Sequence, residues 1–179
     1  MKILAIIPAY NEENNIGRVV EETRKRVKDV LVVDDGSSDL TAMRARQAGA
    51  SVISLPFNLG YGVALQTGYL YALKKGYETV VQLDADGQHD PAFIENLLKP
   101  VREGVSDLVI GSRFLGEGSY RVTFLRRVGM RFFGLVASLL AHQRITDPTS
   151  GYQALGHDVL KFVTSDVYPD DFPDADVIV

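Results

Sequence analysis

Three short polar clusters carry most of the chemistry this chain can do: Pro8-Ala9-Tyr10-Asn11-Glu12, Asp34-Asp35-Gly36-Ser37-Ser38-Asp39 and Asp84-Ala85-Asp86-Gly87-Gln88. Each follows directly on an apolar run. Asp39 and Asp90 read as caps of the helices that follow them. Capping does not account for acid pairs, because two carboxylates held close repel unless a cation or a proton lies between them. Asp84 and Asp86 flank a small alanine and precede a glycine, so a tight turn can aim both side chains at one point. Hard oxygen donors with no cysteine or histidine pair beside them suit Mg²⁺ or Mn²⁺. Such an ion bridges diphosphate oxygens and stabilises negative charge on a leaving group.

Composition narrows the alternatives. The 179 residues contain no cysteine, which removes thiol nucleophiles, disulfides and cysteine-ligated metal. His89, His142 and His157 are too scattered for a zinc site. With 46% hydrophobic and 23% charged residues the chain reads as globular, and a net charge of −4 argues against nucleic acid as a partner. Phe132 to Ala141 is the longest apolar stretch, about half of the roughly 20 residues a membrane span needs.

The elements that must position the clusters alternate between strand and helix. Strands are expected at 2–8, 30–34, 51–55, 78–83 and 106–111, and helices at 12–27, 39–48, 62–75 and from Asp90-Pro91 onward. Ile16, Val19, Val20 and Val27 fall on one helical face, and Phe93, Ile94, Leu97 and Leu98 are expected to point inward from another. Continuous apolar strands between helices imply an α/β domain with a mainly parallel, Rossmann-like sheet covered on both faces. Ligands of such sheets bind outside the carboxyl ends of the strands, where all three clusters fall. One domain is expected, with a nucleotide-binding half at 1–112 and an acceptor-facing half at 113–179.

Several partial matches fail on context. Asp34-Asp35 resembles a receiver-domain acidic pocket but follows the second strand, and Asp84-Ala85-Asp86-Gly87 resembles a haloacid-dehalogenase motif with Gln88 where Thr or Val belongs. Gly60-Tyr61-Gly62 to Leu65 misses the third glycine of a dinucleotide fingerprint. A nucleotidyltransferase would need a glycine-rich basic loop after the first strand, which Pro8 to Glu12 does not supply.

Taken in order, however, the clusters resemble the family 2 glycosyltransferases of the GT-A fold, most closely the dolichol-phosphate-mannose-synthase-like branch. The resemblance rests on Ile6 to Glu13, Val32 to Thr41, Asn58-Leu59-Gly60, Leu83 to Pro91, Gly111 to Phe114 and Asp147 to Tyr152, and spans about residues 3 to 155. It implies a nucleotide-diphosphate sugar donor, UDP- or GDP-linked, with Pro8, Tyr10 and Glu12 framing base and ribose and Val33 and Asp35 reading the base. It further implies a D-x-D element of Asp84, Ala85 and Asp86, with Asp84, Asp86 and Gln88 holding Mg²⁺ or Mn²⁺, and Arg113 meeting a phosphate. Asp86 and Arg113 are the residues expected to matter most for catalysis.

The acceptor implied is a polyprenyl phosphate, reached by in-line displacement with inversion. A polysaccharide or protein hydroxyl, or a non-catalytic nucleotide-sugar binder, are the alternatives. Asp147 is the candidate base if the acceptor is a hydroxyl, and Ser150 falls in the same segment. A helix expected over 123–141 carries Arg126, Arg127 and Arg131 near its start, which suits either a self-association face or the lipid phosphates of a cytoplasmic membrane surface. Relatives of this type have arginine where Gln153 stands, and continue past the point reached at Val179.

Overall fold

The computed structural model describes residues 1–112 and 150–165. Strands β1 (Ile3–Ala9), β2 (Asp29–Asp34), β3 (Ser51–Ser54), β4 (Thr79–Gln82), β5 (Leu108–Ile110) and β6 (Gln153–Leu155) form one sheet in the order β3-β2-β1-β4-β6-β5. The first four run parallel, and β6 lies antiparallel between β4 and β5. The expected mainly parallel sheet is therefore present, with one reversed strand. Helices α1 (Ile16–Arg24), α2 (Thr41–Gln47), α3 (Tyr61–Lys74), α4 (Ile94–Arg102) and α5 (His157–Val163) complete the described elements. None of these helices is long and apolar enough to cross a membrane.

Alternation along the central strands splits the core into two layers. Ala5, Ile7, Val30, Val32 and Val81 pack against Ile16, Val19 and Val20 of α1 and against Ile94, Leu97 and Leu98 of α4. The intervening residues Leu4, Ile6, Leu31, Val33 and Val80 face Ala64, Leu65 and Tyr69 of α3 and Leu160 and Val163 of α5. Successive side chains of a strand point to opposite faces, so a strand covered on both sides must be apolar throughout. That is why β1 and β2 stand out in the sequence.

Three local expectations differ. The helix expected from residue 12 begins at Ile16, because the Glu12 carbonyl first accepts from the Asn15 and Ile16 amides in a tight turn. Phe93 is exposed, not inward. Asp90 caps a 3-10 turn over Pro91–Phe93 before α4 starts, and three residues per turn place Phe93 out of phase with Ile94, Leu97 and Leu98. Strand β6 was not expected at all; three residues between Gly151 and Gly156 carry no readable period.

Helix α3 lies unusually close to β1. A Cβ built on Gly68 would come 2.6 Å from Cγ2 of Ile6, within the buried layer. Gly68→Ala is expected to destabilise the fold by about 1–3 kcal/mol through overpacking. In an Ile6→Ala background the same change should cost nothing or stabilise, as read from denaturant midpoints; an equal penalty in both backgrounds would contradict this packing.

Candidate nucleotide and metal site

The chain lays down β1, β2 and β3 outward in one direction and then crosses back to place β4 on the other side of β1. The carboxyl ends of β1 and β4 therefore flank the point where strand order reverses, the usual crevice for a ligand in an open α/β sheet. Pro8 to Glu12 leave β1 there, Asp34 and Asp35 end β2 beside it, and Asp84 to Gln88 follow β4. The three clusters meet as the sequence requires.

A cavity of about 230 Å³ opens on this edge, lined in part by Pro8, Tyr10, Asp35, Asn58 and Tyr61. Asp35 is 4% exposed, a burial a carboxylate tolerates only when its oxygens are hydrogen-bonded. It accepts from the Leu59 amide at 2.8 Å and the Gly60 amide at 3.0 Å, which ties the 58–60 loop to the end of β2 and makes the cavity wall. The β1 and β2 loops are latched as well. Asn11, in the left-handed region at φ 54°, donates its amide to Ser37 Oγ at 2.9 Å and accepts from the Ser38 amide at 2.9 Å. Asparagine is among the few non-glycine residues that occupy that region readily.

The other residues expected at the base and ribose take different positions. Glu12 lies outside the cavity lining; its carboxylate accepts from the Asn15 side chain at 2.8 Å, and its amide donates to Thr41 Oγ1 at 2.8 Å. The Val33 side chain is fully buried in the α3-facing core, so it cannot read a base by side-chain contact. The N-cap position of α2 falls on Leu40 and not on Asp39 as expected; Asp39 instead accepts from the Thr41 amide at 2.9 Å and the Glu13 amide at 3.1 Å. Desolvation opposes its charge, but these bonds and that of the Thr41 hydroxyl outweigh it and hold its carboxyl below the usual aspartate value.

The acidic turn after β4 divides its two carboxylates. Asp86 accepts from the Gln88 amide at 2.8 Å, which folds the turn back through Gly87 at φ 78°. Asp84 Oδ1 accepts from the Tyr61 hydroxyl at 3.0 Å, and Oδ2 lies 2.8 Å from His89 Nε2. Ala85 between them is buried in the core, and Gln88 is exposed. Two carboxylates and an amide are an oxygen donor set that fits Mg²⁺ or Mn²⁺, which commonly take one or two carboxylates and complete their shell with substrate phosphates. Among the described residues no three histidine or acidic side chains gather to hold a metal by themselves.

Ser150 takes a structural place. It is fully buried, donates its hydroxyl to the Gly111 carbonyl, and so joins the end of β5 to the segment leading into β6. Gln153 turns its amide inward to the Ser150 carbonyl at 2.9 Å. Arg113, Arg126, Arg127, Arg131 and Asp147, and the helix expected over 123–141, lie outside the described residues. The residues the sequence reading missed at the site are Tyr61, His89 and Tyr152. Each stands directly beside a quoted motif or inside one, and that adjacency was the available signal.

The model of the family described as Glycosyl transferase family 2 matches residues 4–163. The chain belongs to that family, and is thereby a glycosyltransferase. It is 34% identical over 174 residues to the undecaprenyl-phosphate mannosyltransferase of Micrococcus luteus, covering 93% of this chain and 71% of that protein. It is also 34% identical over 169 residues to the polyprenol monophosphomannose synthase of Mycolicibacterium smegmatis, covering 89% and 63%. Among solved structures it is similar to glucosyl-3-phosphoglycerate synthase of Mycobacterium tuberculosis in complex with Mn²⁺, UDP-glucose and phosphoglyceric acid. That likeness has a TM-score of 0.70 and 27% identity, and covers 88% of this chain and 57% of the other. The fold is GT-A, and this chain spans little more than half the length of that structural relative.

If Asp35 builds the cavity wall, Asp35→Asn places an NH₂ donor against a backbone N–H. The expected loss is about 1–3 kcal/mol of stability in thermal or urea unfolding, together with weaker binding of nucleoside diphosphate in calorimetry. Unchanged stability and unchanged affinity would contradict the role assigned to it.

Proposed function

We propose that this glycosyltransferase binds a nucleotide-diphosphate sugar together with Mg²⁺ or Mn²⁺ and transfers the sugar, with inversion, to a polyprenyl phosphate. The observation that carries the reading is the convergence of the Asp35-walled cavity and the Asp84–Asp86 turn on one crevice. A base and ribose entering between Pro8, Tyr10 and Asn58 leave the diphosphate directed along the edge toward the end of β4. Asp84, Asp86 and Gln88 would hold the cation, which when bound offsets charge on the departing nucleoside diphosphate.

The chain's own residues then orient and shield. The latched 10–12 and 37–39 loops keep the cavity formed, and the 58–60 loop closes its side. Arg113, which follows Gly111-Ser112 after β5 in the sequence, is proposed to add a bidentate contact to phosphate, as guanidinium groups do. A phosphate acceptor is already ionised near neutral pH, so attack needs no side-chain base. The names of the relatives support this acceptor, since two of them act on undecaprenyl phosphate or polyprenol. Support for donor and metal comes from the neighbour crystallised with Mn²⁺ and UDP-glucose. Use of a lipid phosphate would bring the enzyme to a cytoplasmic membrane face, and Arg126, Arg127 and Arg131 are the basic residues proposed to meet lipid phosphates there.

A thermal-shift screen of UDP and GDP with and without Mn²⁺ tests the donor half of the reading. One nucleotide should raise the melting temperature only with metal, because a ligand that binds the folded state stabilises it according to its concentration over Kd. Asp86→Ala should abolish that metal-dependent shift while melting like the parent protein in buffer. For the acceptor half, labelled sugar should pass into the organic phase when undecaprenyl phosphate is supplied in vesicles. Metal-independent stabilisation in both proteins, or transfer only to water-soluble hydroxyl acceptors, would refute the respective half.

A further inference from the structure

The first carboxylate of the acidic turn sits in a cradle assembled from the start of α3, its own loop and the segment leading into β6. Tyr61, the first residue of α3, donates to Asp84 Oδ1 at 3.0 Å. His89 Nε2 lies 2.8 Å from Oδ2, and the His89 side chain is only 7% exposed. The His89 ring is backed by Tyr152, with centroids 4.9 Å apart, and Tyr152 is fixed in turn by donating to the Asp90 carbonyl at 2.9 Å. Burial, with the charge of Asp90, pushes the Tyr152 phenol well above its ordinary value, so it remains a donor there.

The third wall is a missing side chain. A Cβ on Gly151 would fall 2.8 Å from Asp84 Oδ1, 2.8 Å from the Tyr61 hydroxyl and 2.9 Å from Asp84 Oδ2. Behind Tyr61 the contacts continue into the core. The Gln82 side-chain amide donates to the Tyr61 hydroxyl at 3.1 Å, and the Tyr69 hydroxyl donates to Gln82 Oε1. Gln82 is 2% exposed, and a buried amide bonded at both its nitrogen and its oxygen fixes the direction in which the Tyr61 hydroxyl points.

We propose that Tyr61, His89 and Gly151 are positioning residues that set the Asp84 carboxylate for the metal–diphosphate complex, with Gln82 and Tyr69 fixing Tyr61 from within the core. A carboxylate has about four acceptor sites, and one bond on each oxygen from the sheet side defines its plane and tilt. Asp86, bonded to its own turn at Gln88, has no such anchorage among the bonds described. The two acids thus do different work: Asp84 is preset, and Asp86 adjusts with its loop. Partners that orient a metal-ligating group commonly change metal affinity by about 10–100-fold when removed.

The inference rests on the metal-dependent reading above, and the test separates the two. Mn²⁺ is titrated into the full chain with excess UDP, and in a parallel arm GDP, while free Mn²⁺ is followed by its electron paramagnetic resonance signal. Wild type should bind Mn²⁺ in one arm, and Asp86→Ala should lose it; failure of wild type to bind in both arms overturns both readings. Tyr61→Phe and Gly151→Ala should each weaken Mn²⁺ binding about 10–100-fold with circular dichroism unchanged, and Gly151→Ala, which lies outside the cavity lining, should leave binding of metal-free nucleotide unchanged. Tyr69→Phe, which leaves every contact to Asp84 in place, should have a smaller effect in the same direction. Should one cradle variant fold poorly, the other decides. Mn²⁺ affinity equal to wild type in a folded Tyr61→Phe or Gly151→Ala protein, alongside loss in Asp86→Ala, overturns the cradle and leaves the metal-dependent reading standing.

Discussion

Like charges crowd the carboxyl edge of this sheet, and the site exists only because each is held by donors. Asp34 accepts from the Ser37 amide, Asp35 from Leu59 and Gly60, Asp39 from Thr41 and Glu13, Asp84 from Tyr61 and His89, and Asp86 from Gln88. Without those bonds, buried or half-buried carboxylate oxygens at this edge would be left unpaired, which is costly. With them, the acids stay at one edge, where the proposed cation site draws on Asp84 and Asp86. The loops of this edge are accordingly tied across the strands, 11 to 37–38, 35 to 59–60 and 61 to 84, more than to their own neighbours.

The sheet makes this concentration of charge affordable. Both core layers close beneath the loops, and Ile6 against Gly68 shows how little slack the α3 side has. Placing β4 beside β1, and not beside β3, brings residues 84–89 to residues 8–10 and 35 in one crevice. The reversed strand β6 then delivers Gly151 and Tyr152 from the far end of the chain to the same point. Fold and site are one arrangement here, because the strand order decides which loops can share a ligand.

Much of this was legible in sequence because its causes are local or periodic. Apolar runs on both sides of each acid cluster gave β1, β2 and β4, and the ordered clusters pointed to the family. The Asp90-Pro91 cap was also readable, although the 3-10 turn it opens reversed the expectation for Phe93. What could not be read depends on long-range meetings. Tyr61 touches Asp84 across 23 positions, and Gly151 approaches both from still farther along the chain. A three-residue strand such as β6 has no pattern of its own and forms because β4 and β5 offer it two open edges. Val33 illustrates the converse: it stands in a quoted motif, yet its side chain belongs to the core.

The central claim is that the Asp84–Asp86 turn and the Asp35-walled cavity hold the two ends of a single metal–nucleotide complex. Anomalous diffraction at the manganese edge, from crystals grown with Mn²⁺ and UDP or GDP, tests it most directly. The expected map has one strong peak between the Asp86 carboxylate and the diphosphate, beside Asp84, with the base against Pro8 and Tyr10. Nucleotide seated in the cavity with its diphosphate turned away from residues 84–88, or manganese bound elsewhere, would contradict it.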